Sequence, residues 1–186
     1  MSWTDEAHPS PERRRTVSKV EVINGEPVIR FPDKLRSNLD KMQARNILET
    51  GDRATYRRTV TDADIALFSG ATGDTNPYHF DELYASRGRF KKRIAHGMLV
   101  TGYISTVLGT ILPGPGTIYL SQTLQFKKPV YIGDTITATA EVLKINEKKP
   151  VVTLHTECRN QNGETVVEGE AVVLVEFVPM EESESI

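Results

Sequence analysis

The chain has 186 residues, of which 38% are hydrophobic and 26% are charged, and its formal net charge at pH 7 is -2. This is the length of one ordinary domain, with room for an appendage. The near balance of charge excludes a global field that would concentrate the protein on nucleic acid or on an anionic membrane. We therefore expect neither of these as a partner, and we expect the ligand to be recognised locally.

Few signals assign the chain to a cell compartment. Its single cysteine, Cys158, excludes an intramolecular disulfide framework and any zinc site that needs two thiolates. The first residues lack the apolar segment of a signal peptide. The most apolar long stretch, 94–112, is interrupted by polar residues, so it suits a helix surrounded by protein rather than by lipid. We expect a cytoplasmic protein.

The N-terminal quarter has its own pattern. Asn24-Gly25 stands between two short apolar runs, which is the signal for a type I′ hairpin. The spacing of apolar residues over 35–48 predicts a short amphipathic helix that ends at Gly51. We therefore predict an N-terminal extension over 20–51, made of a hairpin and a short helix.

Residues 52–178 have the pattern of a compact α+β domain, between a disordered lead-in predicted for 1–19 and an acidic tail predicted for 179–186. One uniformly apolar helix is predicted over 97–112, because Pro113 and the glycines and proline after it stop a helix. The apolar and polar residues then alternate as in half-buried antiparallel strands, at 117–126, 134–145, 151–159 and 165–178. We predict an antiparallel sheet that wraps the long helix.

Asp74 and His79 are the first candidates for chemistry. The Asn76-Pro77 pair between them must form a turn, and a turn can direct a carboxylate and an imidazole into one space. Such a pair is suited to acid/base chemistry near neutral pH. In the alternative interpretation Asp74 caps a turn and His79 makes a partly buried polar contact. The spacing alone leaves both open.

His96 and Gly97 stand where a loop enters the long helix. Backbone amides in the first turn of a helix have no intrahelical acceptor and can stabilise a developing oxyanion, which Gly97 lets approach closely. Alternatively, Gly97 is a packing glycine and His96 only starts the helix. Ser105, further along the helix, either bonds to its own helix backbone or orients Asp74.

Metal binding and phosphate binding are the competing chemistries. Nitrogen and oxygen ligands are offered by Asp74, His79, Asp81 and His96, but no pair has metal-ligand spacing, so we expect no metal. Basic residues occur at 87–93 and at Lys127-Lys128, in runs that are typical of solvated loops. We expect both runs to lie at the edge of the active-site cleft, where their charge suits them to bind phosphate groups. The candidate substrate-binding residues are Arg87, Lys91, Arg93 and Lys127.

Four motifs occur in a characteristic order along the chain. They are Ser-Gly-Ala-Thr-Gly-Asp-Thr-Asn-Pro-Tyr-His-Phe-Asp at 69–81, Arg-Ile-Ala-His-Gly-Met at 93–98, the segment 116–134, and a late strand with Gly163 and Gly169-Glu-Ala. In this order they resemble the MaoC-like, R-specific enoyl-CoA hydratase family of hot-dog-fold proteins. The resemblance covers about residues 55 to 177 and leaves residues 1 to 50 without a counterpart.

The resemblance implies a curved antiparallel sheet around the long helix, and a homodimer or higher homo-oligomer whose active sites lie at the interface. It also implies a hydro-lyase that reversibly hydrates trans-2-enoyl thioesters, foremost enoyl-CoA, to (R)-3-hydroxyacyl thioesters. No metal or redox cofactor is implied, because the thioester itself makes the α carbon acidic. Coenzyme A or acyl carrier protein is part of the substrate.

The family's functional residues carry over onto matching positions. By resemblance, Asp74 acts as the base, while His79 helps to bind the water and passes the proton to the α carbon. The Gly97 amide stabilises the enolate-like thioester oxygen. Supporting roles fall to Asn76, His96 and Ser105.

A function of another class remains open, a non-catalytic or partner-dependent subunit that binds acyl thioesters. Loss of Asp74 or His79 would favour it, and both are present. The extension at 20–51 keeps this alternative open, because a segment of this kind is suited to binding a partner or to covering the active-site cleft.

Overall fold

A computed structural model describes the protein over residues 19–30 and 47–176. In chain order the elements are β1 (Lys19–Ile23), β2 (Glu26–Arg30), β3 (Ile47–Leu48), β4 (Arg53–Thr59), α1 (Asp62–Thr72), α2 (Pro77–Phe80), α3 (Glu82–Arg87), α4 (Gly97–Thr110), β5 (Thr117–Phe126), β6 (Thr135–Ile145), β7 (Val151–Arg159) and β8 (Thr165–Val175). No helix in these two ranges is long and apolar enough to cross a membrane. Apart from Lys19, the predicted lead-in lies outside the described residues, as does the predicted acidic tail.

β1 and β2 form the hairpin that the Asn24-Gly25 signal predicts. Both turn residues have positive φ, 52° at Asn24 and 85° at Gly25, as a type I′ turn requires. β2 also pairs with β3, which places Ile29 opposite Leu48 in a three-stranded sheet. Ile29 and Leu48 are 0% and 2% exposed and belong to the main hydrophobic core. The N-terminal sheet therefore shares the core of the rest of the chain.

The helix predicted over 35–48 is wrong at its end. Ile47–Leu48 form the strand β3, because two adjacent residues there pair with β2 rather than continue a helical turn. The remainder of that predicted helix lies outside the described residues. The predicted boundary at residue 52 stays a prediction.

The main sheet has five antiparallel strands in the order β4-β6-β7-β8-β5. α4 packs against β4, β5, β6 and β7 of this sheet. Its buried face, with Val100, Ile104, Val107 and Leu108, meets the small side chains of β6 such as Ala138 and Ala140, all at most 1% exposed. This confirms the predicted α+β arrangement of a sheet around one long helix.

The remaining helices, α1 to α3, lie in the chain between β4 and α4. α1 begins with a capping box, in which the Thr61 hydroxyl accepts from the Asp64 amide and the Asp64 carboxylate accepts from the Thr61 amide. The entry to α4 is fixed by the Ala95 amide, which donates to the Val130 carbonyl at 2.7 Å. The capping box thus fixes the start of α1, and the Ala95 contact fixes the segment that leads into α4.

Candidate active site

The backbone of Asp74 is fixed from two sides at the end of α1. Gly73 ends that helix in the left-handed conformation at φ 78°, where glycine has no Cβ penalty. The Asp74 carbonyl then accepts from the Ser69 hydroxyl at 2.6 Å and from His96 Nε2 at 3.1 Å. Its side chain stays exposed. Asp74 therefore presents a solvated carboxylate on a fixed backbone.

Asn76 forms the turn between the two candidate catalytic groups. The Asp74 carboxylate accepts from the Asn76 amide at 3.2 Å, and the Asn76 side chain accepts from the Tyr78 amide at 3.2 Å as the N-cap of α2. Pro77 occupies the first position of this short helix, where its missing N–H costs nothing. The chain therefore reverses direction at this turn, which brings His79 close to Asp74.

His79 is held in one tautomer. Its Nδ1 lies 2.7 Å from the Ile94 carbonyl oxygen, and a carbonyl can only accept, so Nδ1 carries the hydrogen in the neutral ring. Nε2 is then the nitrogen with a lone pair. The ring is 7% exposed, so this nitrogen is sheltered but reachable. This is the arrangement of a histidine that can accept a proton.

His96 lies directly against His79. Their ring centroids are 3.7 Å apart with planes 30° from parallel, and the Phe68 ring centroid lies 4.9 Å from that of His96. His96 is 2% exposed, and burial lowers its pKa below the ordinary value of 6.5. Because Nε2 donates to Asp74, the buried Nδ1 has the lone pair and no hydrogen-bond partner among the described residues. His96 is therefore uncharged at neutral pH, and it supports the side chains beside it.

The side chains of Asp74, His79 and His96 place one polar atom each within 4.8 Å of one another. A tetrahedral metal site needs lone pairs that converge on one point. His79 Nδ1 and His96 Nε2 each lie within hydrogen-bond distance of a backbone carbonyl, so each neutral ring has one nitrogen left with a lone pair. The cluster therefore offers one carboxylate and two imidazole nitrogens, which are groups that can transfer protons.

Gly97 is the first residue of α4 and lines a pocket of about 710 Å³. A Cβ at this position would lie 2.6 Å from Cε1 of Phe126, which follows from the close approach of that ring. Neither Asp74 nor His79 lines this pocket. Gly97 directly follows His96, the residue that contacts both of them.

Ser105 is not brought to the acid/base pair. It is exposed on α4, about two turns or roughly 12 Å beyond Gly97. It makes no hydrogen bond to Asp74 in the described part of the chain. Instead it lines a second pocket of about 430 Å³ between α4 and β5.

The four predicted substrate-binding cations are placed in different surroundings. Arg93 forms ion pairs with Asp62 at 2.9 Å and with Glu82 at 3.2 Å. It also donates to the His79 carbonyl at 3.5 Å, so it stabilises the backbone of the site. Arg87 lines a separate pocket beside two tyrosines. Lys91 is exposed with φ 63°, and Lys127 lines the pocket at Gly97.

Several contacts of the site were not predicted from the sequence. Ser69 and Ile94 bind the backbone of Asp74 and the ring of His79 through one hydrogen bond each, and Phe126 packs on Gly97. Both Ser69 and Ile94 lie within the recognised motifs, but a backbone carbonyl as a histidine partner leaves no mark in the sequence.

Comparisons with known proteins identify the family of this chain. The MaoC like domain family matches residues 43–163. A protein of Rhodospirillum rubrum named (R)-specific enoyl-CoA hydratase is 52% identical over 128 residues, which cover 69% of this chain and 88% of that protein. One of the same name from Aeromonas caviae is 44% identical over 126 residues, covering 68% and 94%.

A solved structure shows the same fold. The (R)-hydratase from A. caviae involved in PHA biosynthesis superposes with a TM-score of 0.67 at 43% identity, over 69% of this chain and 97% of that chain. The predicted hot-dog fold is thereby confirmed, and so is the predicted enzyme class. This chain belongs to the MaoC-like family and is a hydro-lyase of the hot-dog fold.

Proposed function

We propose that this enzyme reversibly hydrates trans-2-enoyl thioesters to (R)-3-hydroxyacyl thioesters. The observation that carries the proposal is the proximity of Asp74 and His79, whose polar atoms lie within 4.8 Å while separate backbone contacts fix each residue. Both lie beside the first turn of α4, where an amide can meet a thioester oxygen. The relatives named as (R)-specific enoyl-CoA hydratases support the same reaction.

Asp74 and His79 would activate one water molecule. Asp74 accepts a hydrogen bond from the water, and His79 Nε2 accepts another. As the water oxygen bonds to the β carbon, its proton goes to the Asp74 carboxylate, and the Cα=Cβ π bond breaks. The proton on Asp74 then passes through His79 Nε2 to the α carbon of the enolate, so that a Cα–H bond forms and both residues return to their starting states. Dehydration is the reverse of these steps.

The Gly97 amide would stabilise the oxygen of the thioester. Negative charge develops on that oxygen as water adds, and the Gly97 N–H lies at the positive end of α4. The absence of a side chain on Gly97 leaves the approach to this N–H open. Base and oxyanion donor therefore act at opposite ends of the same three-carbon unit.

The proposed reaction needs no metal or redox cofactor, because the thioester itself makes the α carbon acidic. We expect activity to persist after dialysis against EDTA, and activity that EDTA abolishes and Zn²⁺ restores would revive a metal site at Asp74. The buried free thiol of Cys158 gives no reason for an oxidising compartment, and we propose that the enzyme acts in the cytoplasm.

Two copies of the chain would complete the enzyme as a homodimer. Within the described residues β5 is an edge strand that pairs only with β8, and it carries Ile118, Tyr119, Leu120 and Phe126 with 39–55% of each side chain exposed. An apolar edge of this kind is typically covered by another chain. Sedimentation should give a dimer or larger assembly at micromolar concentration, and a monomer would count against an interfacial site.

The substitution Asp74→Asn tests the proposal. It keeps the acceptor for the Asn76 amide but removes the base, so kcat for crotonyl-CoA should fall by roughly 10²- to 10⁴-fold. Asp81→Asn is the matched control, since asparagine can still cap α3 through the Tyr84 amide, and turnover should persist. Equal turnover by Asp74→Asn and wild type would remove Asp74 from the mechanism. No turnover by wild type on any enoyl thioester would favour a binding subunit instead.

A further inference from the structure

The helix α2, which carries His79, is only four residues long. A helix of a single turn is not stable alone, so its position depends on contacts with the rest of the chain. The His79 ring donates to the Ile94 carbonyl, and the His79 carbonyl accepts from the Arg93 guanidinium at 3.5 Å. The Ile94 amide donates to the Tyr78 carbonyl at 3.2 Å. Two consecutive residues therefore bind both the ring and the backbone of His79.

The Arg93 guanidinium contacts all three helices that precede α4. Its Nη2 pairs with Asp62, the first residue of α1, at 2.9 Å. Its Nε pairs with Glu82, the first residue of α3, at 3.2 Å, and Nη1 donates to the His79 carbonyl on α2. The donors of a guanidinium have a fixed planar arrangement, so three partners bound at once are fixed relative to one another. One side chain thus holds α2 between α1 and α3.

We propose that Arg93 is a positioning residue for His79, and that it acts on proton transfer rather than on substrate binding. The proposal rests on the proposed function, in which the proton passes through His79. Two carboxylates already offset the charge of Arg93, and its side chain is only 25% exposed. It is therefore poorly placed to bind an anionic group of a substrate, which is the role expected from the sequence. It holds the backbone of the residue whose ring transfers the proton.

A purely structural role for these ion pairs would have a different signature. Asp62 and Glu82 are 67% and 63% exposed, and ion pairs with exposed partners contribute little to stability. Loss of Arg93 should therefore leave Tm close to that of wild type. The position of a catalytic imidazole has a larger effect on rate, because a displacement of about 1 Å can cost about 100-fold. The effect of Arg93 should appear in kcat.

Steady-state kinetics with crotonyl-CoA separates positioning from substrate binding. Arg93→Gln should lower kcat by about 10- to 100-fold and leave KM within about twofold of wild type. Arg93→Lys should recover only part of kcat, because an ammonium group lacks the fixed planar donors. Arg57→Gln removes the same charge from an exposed position on β4 and should keep both constants. A raised KM at wild-type kcat would overturn the proposal and return Arg93 to substrate binding.

The carboxylate partners test the same contacts while the guanidinium is kept. Asp62→Asn should lower kcat by a smaller factor than Arg93→Gln, because Glu82 and His79 still contact the guanidinium. Added to Arg93→Gln, it should have no further effect, since residues that act through one contact are not additive. Effects that multiply would overturn the proposal. If Arg93→Gln does not fold, the double variant Asp62→Asn/Glu82→Gln decides, and wild-type kcat in it would overturn the proposal.

The His79 ring gives a readout that does not require turnover. In NMR spectra of protein with isotope-labelled histidine, the Nδ1–H signal of His79 reports its bond to the Ile94 carbonyl at 2.7 Å, and its loss in His79→Gln assigns it. The signal should shift or broaden in Arg93→Gln and stay in place in Arg57→Gln. An unchanged signal in Arg93→Gln would overturn the proposal. If the signal responds to Arg93 but wild type hydrates no enoyl thioester, the proposed function fails while the positioning of His79 stands.

Discussion

His96 supports His79 through a stacked ring, with centroids 3.7 Å apart, and supports Asp74 through a hydrogen bond to its backbone carbonyl at 3.1 Å. One buried side chain thus contacts both members of the proposed acid/base pair. Because His96 Nε2 donates to a carbonyl, the only lone pair of the neutral ring is on Nδ1, which is buried and out of reach of a substrate. We interpret His96 as a positioning residue.

Two substitutions separate the two contacts of His96. His96→Phe keeps an aromatic ring against His79 but loses the donor to Asp74, whereas His96→Gln keeps an N–H donor but loses the stack. We expect each to lower kcat by up to about 100-fold with little change in KM, since small displacements of a catalytic group have effects of this size. His155→Gln, on β7, is the matched control and should keep kcat. Wild-type kcat in both His96 variants, with unchanged Tm, would contradict a positioning role.

The lowered pKa of His96 predicts how stability depends on pH. In the unfolded chain the imidazole gains its proton near pH 6.5, but in the folded protein burial holds the pKa lower. Between these two pKa values the unfolded state binds more protons, so the free energy of unfolding falls as pH falls below 6.5. The contribution is present in full above pH 6.5, and its size is about 1.4 kcal/mol per unit of pKa difference.

Urea unfolding of wild type and His96→Phe at a series of pH values measures this contribution. The phenylalanine variant has no group that titrates at residue 96, so its stability should fall less steeply below pH 6.5. Parallel curves for the two proteins would show that the His96 pKa is not lowered by folding.

Gly97→Ala should impair substrate use more than folding. The added methyl group would lie 2.6 Å from Cε1 of the Phe126 ring, which is 55% exposed and can move into the pocket. A change of one methyl group in a pocket typically alters kcat/KM by roughly 10- to 200-fold. Gly109→Ala has open space around its Cβ on the same helix, so it should keep kcat/KM and raise stability by about 1 kcal/mol. Similar kcat/KM values for the two variants would show that the space at Gly97 has no function.

The N-terminal sheet should contribute to the stability of the whole protein. Leu48 is 2% exposed in the main core, so Leu48→Ala should lower the free energy of unfolding by about 2–5 kcal/mol. Val22, on β1, is 65% exposed, and Val22→Ala should change it by no more than about 0.5 kcal/mol. Urea denaturation measures both, and a negligible effect at Leu48 would mean that the sheet is dispensable to the core.

Those parts of the fold that depend on local chemistry were predicted from the sequence. The turn at Asn24-Gly25 requires positive φ, and α4 follows from an apolar run that ends before Pro113, so both have local signals. β3 has only two residues and no periodicity to detect, and its pairing of Leu48 with Ile29 joins distant parts of the chain. Because β3 has no signal of its own, the apolar residues around it were interpreted as part of a helix.

In the candidate site, too, some features have a local signal in the sequence and others depend on contacts between distant segments. The Asn76-Pro77 turn is local, so the sequence showed that Asp74 and His79 could face one space, but only the resemblance favoured the acid/base pair over a capping contact. The stack of His96 on His79 and the ion pairs of Arg93 depend on how separate segments pack. No spacing rule distinguishes a guanidinium that binds substrate from one that pairs with Asp62.

The configuration of the product tests the central claim most directly. Wild-type protein is incubated with crotonyl-CoA, loss of the enoyl-thioester absorbance is followed, and the 3-hydroxybutyryl-CoA formed is resolved by chiral chromatography. Water delivered to one face by Asp74 and His79 should give the R isomer alone. The S isomer, a racemic mixture, or no product from crotonyl-CoA and longer enoyl thioesters would contradict the proposed reaction.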